Sequence, residues 1–254
     1  DAPSPLDWVA EQIETGLDHP ALVRLPGAQA GADLWWLADP SGLDSPLCDR
    51  VEAAAFQVLH EALALTELDF EGRVYAQFRG SLTPEADLVD TCLQAYGHQP
   101  TPGYWQLRPE DLPDARQSER EMIVEDVLAL GRRLGYRAVS GDSFDVLWYD
   151  GEQRRAAFIV RWQAAIGEAL SLADQLQGAH PYLVLPGGRG ALLSHKLARN
   201  PLWQRTVEQA GWRFIKYRHV RQLVAQSGVD EYALRTIIGL DPIVEREGAQ
   251  IPLF

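Results

Sequence analysis

Asp150 and Gly151 stand between two apolar runs, residues 144–149 and 155–162. An Asp-Gly pair in that setting is a strong short-range signal for a tight β-hairpin, because the favoured turn needs positive φ, which glycine tolerates. The hairpin commits this part of the chain to antiparallel strands. Downstream, a helical pattern over 165–176 leads to an apolar run at 182–185, another helical pattern runs to about residue 210, and a further apolar run spans 212–217. Strands separated by helices predict crossovers and parallel pairing. Upstream, a helix is predicted over 115–134 with Gly135 as its C-cap, followed by a strand near 136–139. The resulting order of elements predicts an α/β mixed sheet with helices on both faces. Helices near 219–225 and 231–240 close the chain.

The first part of the sequence has a different rhythm. Residues 1–42 hold a helical stretch at 5–17 and short apolar segments at 21–25 and 34–37, and they are expected to pack as a lead-in on the helices downstream. Pro40, Ser41, Gly42 and Ser45 mark a turn-rich break. Helical patterns then occupy 46–63 and 68–78. A third opens with Thr83 as N-cap and Pro84 at the first helical position, with Leu88, Cys92 and Leu93 inward. A strand at 103–107 completes a strand pair. Three helices and a terminal strand pair suggest a winged helix-turn-helix. The expected organisation is a lead-in at 1–42, a winged-helix-like module at 43–112 and an α/β (α+β) domain at 113–254. The third helix carries Glu85, Asp87 and Asp90, and no Lys or Arg occurs between Thr83 and Gly97. Carboxylates at a DNA backbone repel phosphates, so this module is expected to bind protein or simply to pack.

Charge separates the halves further. The 254 residues carry 36 acidic and 23 basic side chains, a net charge of −13. Residues 1–130 hold 24 acids and 7 arginines, whereas residues 131–254 hold 12 acids and 16 basic side chains. Within residues 187–221, Arg189, Lys196, Arg199, Arg205, Arg213, Lys216, Arg218 and Arg221 face one acid, Glu208. Such a segment can neutralise phosphates locally, since distant charge is screened beyond about 8–10 Å. The competing reading is a solvated basic face. Cys48 and Cys92 are too few for a disulfide framework and lack metal-ligand spacing, which points to a reducing cytosol. No apolar run reaches the roughly 18 residues needed to span a bilayer, and no targeting segment is evident. The sequence opens at Asp1 and has one methionine, Met122, which suggests a piece of a longer protein.

Several runs resemble the core of the PD-(D/E)XK, or restriction-endonuclease-like, nucleases. They are Gly135-Tyr136, Phe144-Asp145-Val146-Leu147-Trp148, Ala157-Phe158-Ile159-Val160-Arg161, Pro181-Tyr182-Leu183-Val184-Leu185-Pro186 and Trp212-Arg213-Phe214-Ile215. The resemblance covers about residues 115–225. The helical module and its junction are also similar to C-terminal regions of bacterial DNA methylases and defence-system proteins.

The nuclease resemblance implies a magnesium ion held by carboxylates from two successive core strands, with a lysine two residues beyond the second acid. Residues i and i+2 of a strand share a face, which is why those two groups meet. On this chain the first acid is Asp145, the second acid position falls on Ile159 and the lysine position on Arg161. Isoleucine holds no metal. Arginine keeps its charge and cannot serve as a base, and Gln163 on the same face offers only an amide. The implied catalytic set is therefore vestigial, and no metal is expected. Two routes could restore a magnesium site on Asp145: an acid from the first long helix (Glu119, Glu121 or Glu125), or a register shift that brings in Asp142. The plainer reading puts those acids on a solvated helix start and pairs Asp145 with Arg161.

Gly187, Gly188, Arg189 and Gly190 come after a strand and open a helix, where backbone N–H groups favour anions. The GK[ST] ending of a Walker A loop is absent. Either this is a plain helix start, or Arg189, His195, Lys196 and Arg199 gather there on phosphate. The histidines form no zinc-like pair. Cys92 fits a core better than a nucleophile, and Trp105, Trp148, Trp162 and Trp212 fit packing. Trp35 and Trp36 could form a docking patch.

The sequence thus predicts a cytoplasmic, non-catalytic nucleic-acid-binding or scaffolding module of a prokaryotic restriction-modification or defence system. DNA or RNA would contact Arg189, Lys196, Arg199, Arg213, Lys216 and Arg218. A protein partner or parent-chain domain would meet the acidic half, and no membrane is involved. The alternatives are an active magnesium-dependent nuclease and a pure protein-interaction module.

Overall fold

The structure, a computed structural model, describes residues 15–17, 19–20, 22–25, 34–37, 46–78, 80 and 83–237. The chain divides into two units, Asp1–Asp44 and Ser45–Phe254. In the first, strands β1 (Leu22–Leu25) and β2 (Leu34–Leu37) pair antiparallel with Leu22 opposite Leu37. The Arg24 guanidinium lies 5.8 Å from the Trp35 ring centroid. Most of the helix expected at 5–17 lies outside the described residues.

The second unit begins with helices α1 (Leu47–Glu61), α2 (Glu67–Tyr75) and α3 (Ala86–Tyr96), and the hairpin β3 (Gly97–Thr101) and β4 (Tyr104–Leu107). Thr66 caps α2 by accepting from the Asp69 N–H at 3.2 Å. Thr83 does not cap α3. The helix starts two residues beyond Pro84 with Glu85 at the N-cap position, and the Thr83 hydroxyl instead donates to the Gly80 carbonyl at 3.0 Å.

Helix α4 (Pro113–Arg133) leads into β5 (Arg137–Ser140), with Gly135 at φ 89° turning the chain as expected of a C-cap glycine. The hairpin of β6 (Val146–Asp150) and β7 (Gln153–Val160) turns one residue later than the Asp-Gly pair predicts: Asp150 ends the strand opposite Gln153, and the two-residue loop is Gly151 and Glu152, the glycine at φ 58°. After a short helix α5 (Gly167–Leu170) come β8 (His180–Leu185), α6 (Gly190–Arg199), α7 (Pro201–Ala210), β9 (Arg213–Lys216), α8 (Tyr217–Ala225) and α9 (Glu231–Ile237). The five strands pair in sequence order, antiparallel from β5 to β7 and parallel from β7 to β9. The fold is a mixed α/β architecture.

Two predicted helices are shorter than expected. The pattern at 165–176 breaks after Leu170 and resumes only as a 3-10 turn at Ala173–Gln175. The helix expected to reach residue 210 breaks at Asn200, whose backbone is extended (φ −125°, ψ 91°) before Pro201. Proline disfavours helical backbone in the residue before it, and the Asn200 side chain caps the next helix by accepting from the Trp203 N–H at 3.1 Å.

Alternating side chains send each strand to two cores. Leu147, Ala157, Ile159, Leu183, Leu185 and Phe214 join residues of α1, α2, α3, α6 and α7 in one apolar cluster. Val146, Trp148, Phe158, Val160, Tyr182, Val184 and Ile215 join Ile123, Val127 and Leu130 of α4 and Val220 and Leu223 of α8 in the other. The first cluster runs through residues on both sides of position 112, so α1, α2 and α3 share one core with the sheet inside the unit Ser45–Phe254.

Candidate phosphate-binding site

Because β6 runs opposite to β7, its start lies at the same sheet edge as the ends of β7, β8 and β9. Asp145, Arg161, Gly187 and Arg218 therefore gather along one edge, beside the first turns of α4. Ligands of α/β sheets bind outside the carboxyl ends of parallel strands.

The geometry of Asp145 comes from β7 outrunning β6. The antiparallel ladder ends at Val146 opposite Phe158, so the Val160 N–H and C=O reach past it without a strand partner. The Asp145 carboxylate accepts the Val160 N–H at 2.7 Å, and the Arg120 Nε donates to the Val160 carbonyl at 2.9 Å. Arg120 also forms an ion pair with Asp145. Both carboxylate oxygens are thus engaged. Arg161 does not pair with Asp145: its guanidinium lies 3.5 Å from Glu168, and its carbonyl accepts from the Tyr217 hydroxyl at 2.9 Å. Ile159 is 1% exposed, in the core on the far face from α4. Gln163 is half-buried.

An open cleft of about 1090 Å³ is lined by Arg120, Glu121, Glu125, Asp126, Asp145 and Arg221, among others. Glu121 and Glu125 are exposed there, and Glu121 accepts from Gln117 at 2.6 Å. Burial raises the Asp126 carboxyl above its ordinary range, with Arg221 opposing. Glu119 turns elsewhere, binding Arg116 and Arg221, and Asp142 is exposed outside the cleft lining. Among the described residues no three His, Cys, Asp or Glu side chains are grouped to hold one metal ion.

A second pocket of about 210 Å³ shares Arg221 with this cleft. Arg108, Arg116, Arg189 and Arg218 line it, together with Glu110, Asp111, Glu119, Gly187 and Gly188. Asp111 binds both Arg116 (2.7 Å) and Arg189. Arg189 also donates to the Ala95 and Trp162 carbonyls and stacks 3.6 Å from the Tyr96 ring centroid. Arg108 donates to the carbonyls of Gly97 and Gln94, each at 2.9 Å.

The six basic residues expected on nucleic acid divide sharply. Arg189 and Lys196 are 1% and 2% exposed, which corrects the expectation that they present charge to phosphate. Lys196 binds Asp49 at 2.7 Å, Glu52 and the Ala164 carbonyl, while Tyr96 and the Ala164 N–H complete the bonds of Glu52. Burial opposes the Lys196 charge, but Glu52 and Asp49 outweigh it and hold the lysine protonated above its ordinary range. Arg199 pairs with Glu85 (2.6 Å) and Asp87 (3.0 Å) at the start of α3, tying down two of the three acids expected on that helix. Arg213 donates to the Tyr182 hydroxyl at 3.0 Å. Lys216 is 6% exposed, and burial, with a smaller push from the nearby Arg218, pulls it down to about 8. Arg218 is exposed and lines the small pocket.

Sequence reasoning missed Arg108, Arg116 and Arg120, because they lie in the acidic half. The signal was present: Arg116 and Arg120 are four apart and share one helix face. The cysteines are structural, with burial pushing the Cys48 thiol up to about 12 and Cys92 fully buried. No helix among the described residues is long and apolar enough to cross a membrane. Compared with known proteins, the chain has no significant match among family models, curated proteins or solved structures.

Proposed function

We propose that the chain is a non-catalytic nucleic-acid-binding module on a restriction-endonuclease-like framework, with α1, α2, α3 and the β3–β4 hairpin as its winged-helix-like part. Its setting is a prokaryotic DNA-modification or defence system. The observation that carries this reading is the edge itself. Arg218 and Arg221 stand exposed beside Arg108 at the ends of β8 and β9, while Asp145 is engaged by Arg120 and Val160. Cations reach solvent where phosphates can approach, and the one acid at the implied metal position serves the backbone.

Fluorescence anisotropy with single-stranded and duplex DNA and RNA at about 50 and 200 mM salt tests it. Binding should weaken with salt, and the double variant Arg218→Gln/Arg221→Gln should lose most of it, whereas Arg213→Gln should not. Absence of binding at about 50 mM salt sinks the proposal.

A second reading has one observation in its favour: Glu121, Glu125 and Asp145 line the same cleft. In that reading Asp145 would have to leave Arg120, and the acids, not grouped in this arrangement, would have to close on a divalent cation for phosphodiester hydrolysis. Incubation of plasmid with Mg²⁺ or Mn²⁺ decides between the two. Cleavage lost in Asp145→Ala and in Glu121→Gln would favour the nuclease.

A further inference from the structure

The small pocket has features that its arginines alone do not explain. Gly187 and Gly188 are exposed, and neither has positive φ. A Cβ on Gly187 would come no closer than 3.8 Å to a neighbour, and one on Gly188 no closer than 3.7 Å. Neither backbone conformation nor packing demands glycine at these positions. What a side chain there would occupy is the pocket. The two residues also begin the 3-10 turn Gly187–Arg189 ahead of α6, so their N–H groups have no acceptor within the helix.

Asp111 supplies the second requirement. It is fully buried; one oxygen receives both Arg116 and Arg189, and the other has no hydrogen-bond partner. A buried carboxylate oxygen left open calls for a donor. A ligand that fits must therefore offer several acceptor oxygens to cations and N–H groups, and one hydroxyl proton to Asp111. A phosphate monoester does both, through its anionic oxygens and through a P–OH or an adjoining sugar hydroxyl. A mid-chain phosphodiester has no P–OH and must enter and leave. The pocket, at about 210 Å³, is smaller than the roughly 300–1,000 Å³ of whole-ligand sites, so it suits an end group.

We infer that this pocket holds a terminal phosphate monoester, and that the adjoining cleft beyond Arg221 receives what the phosphate is attached to. The inference rests on the nucleic-acid reading above and adds recognition of a strand end. A nucleoside monophosphate carries the same chemistry.

The test uses the full chain and an internally labelled DNA strand of about 12 nucleotides. Versions ending in a 5′-phosphate, a 3′-phosphate or hydroxyls only are compared by anisotropy, with AMP as competitor. One phosphorylated end should bind about tenfold tighter or more than the hydroxyl ends. Gly188→Leu and, independently, the exposed Arg218→Gln should erase that difference. Arg155→Gln, at the opposite end of the sheet, should keep it. Equal affinity for all three strands overturns the inference while leaving nucleic-acid binding standing. If no strand binds but AMP does by direct titration calorimetry, and Gly188→Leu abolishes it, the monoester pocket stands and the nucleic-acid reading falls. Absence of binding by every probe overturns both.

Discussion

Arg120 and Asp145 together close the end of β7, the arginine taking the Val160 carbonyl and the aspartate its N–H. Asp145→Ala should leave that N–H and the Arg120 charge without their partner, at a cost of about 1–3 kcal/mol. Asp145→Asn keeps an acceptor and should cost less. Urea unfolding of the two variants measures the difference, and wild-type stability in Asp145→Ala would refute the structural role.

Lys196 ties α6 to α1 through Asp49 and Glu52. Lys196→Met should destabilise the chain by about 3–5 kcal/mol, because two carboxylates stay buried without their cation. The lysine's pKa is raised in the folded chain, so its stabilisation is complete below its ordinary value of 10.5 and is lost only as pH rises through the raised one. The penalty of Lys196→Met should therefore be flat from pH 6 to about 9, which urea titrations at several pH values would check.

At Gly131 on α4, an added Cβ would sit 2.4 Å from the indole nitrogen of Trp148. That indole is 1% exposed and donates to the Val127 carbonyl at 3.2 Å. Gly131→Ala should destabilise by about 1–3 kcal/mol through overpacking, although alanine is the better helix former by about 1 kcal/mol. A lowered melting temperature with altered near-ultraviolet dichroism is the expected signature. A raised melting temperature would contradict it.

Lys216 behaves oppositely to Lys196. Its pKa falls from 10.5 to about 8 on folding, through burial and then Arg218. Between those values the unfolded chain holds a proton that the folded chain has released, so stability rises with pH across that window. Below about pH 8 the cost of the buried ammonium is fully present. Lys216→Met should be more stable than wild type at pH 7, by about 1–2 kcal/mol, and the gap should shrink toward pH 9.5. Thermal melts of both proteins across that range measure it; a gap that widens would refute the assignment.

The sheet was legible because its signals are local. The Asp-Gly pair, the glycine after α4 and the apolar runs each act within a few residues; the hairpin loop falls one residue later, at Gly151 and Glu152, and the other signals found their strand or cap. The breaks were harder. Pro201 was visible, but whether it stops a helix or merely starts the next depends on Asn200 extending and capping. The site was legible only in its outline. Gly187, Gly188 and Arg218 could be seen in the sequence, whereas Arg108 and Arg116 come from the acidic half and reach the pocket through tertiary folding. Lys196 misled for the same reason. A lysine in a basic stretch looks solvated until Asp49 and Glu52, far upstream in sequence, are folded against it.

The turn at Gly151 and Glu152 begins one strand length from Asp145, about 16 Å along β6. A fluorophore or peptide tag spliced into that loop would report on or immobilise the protein without crowding the arginines, which makes it the natural handle for surface-based binding measurements.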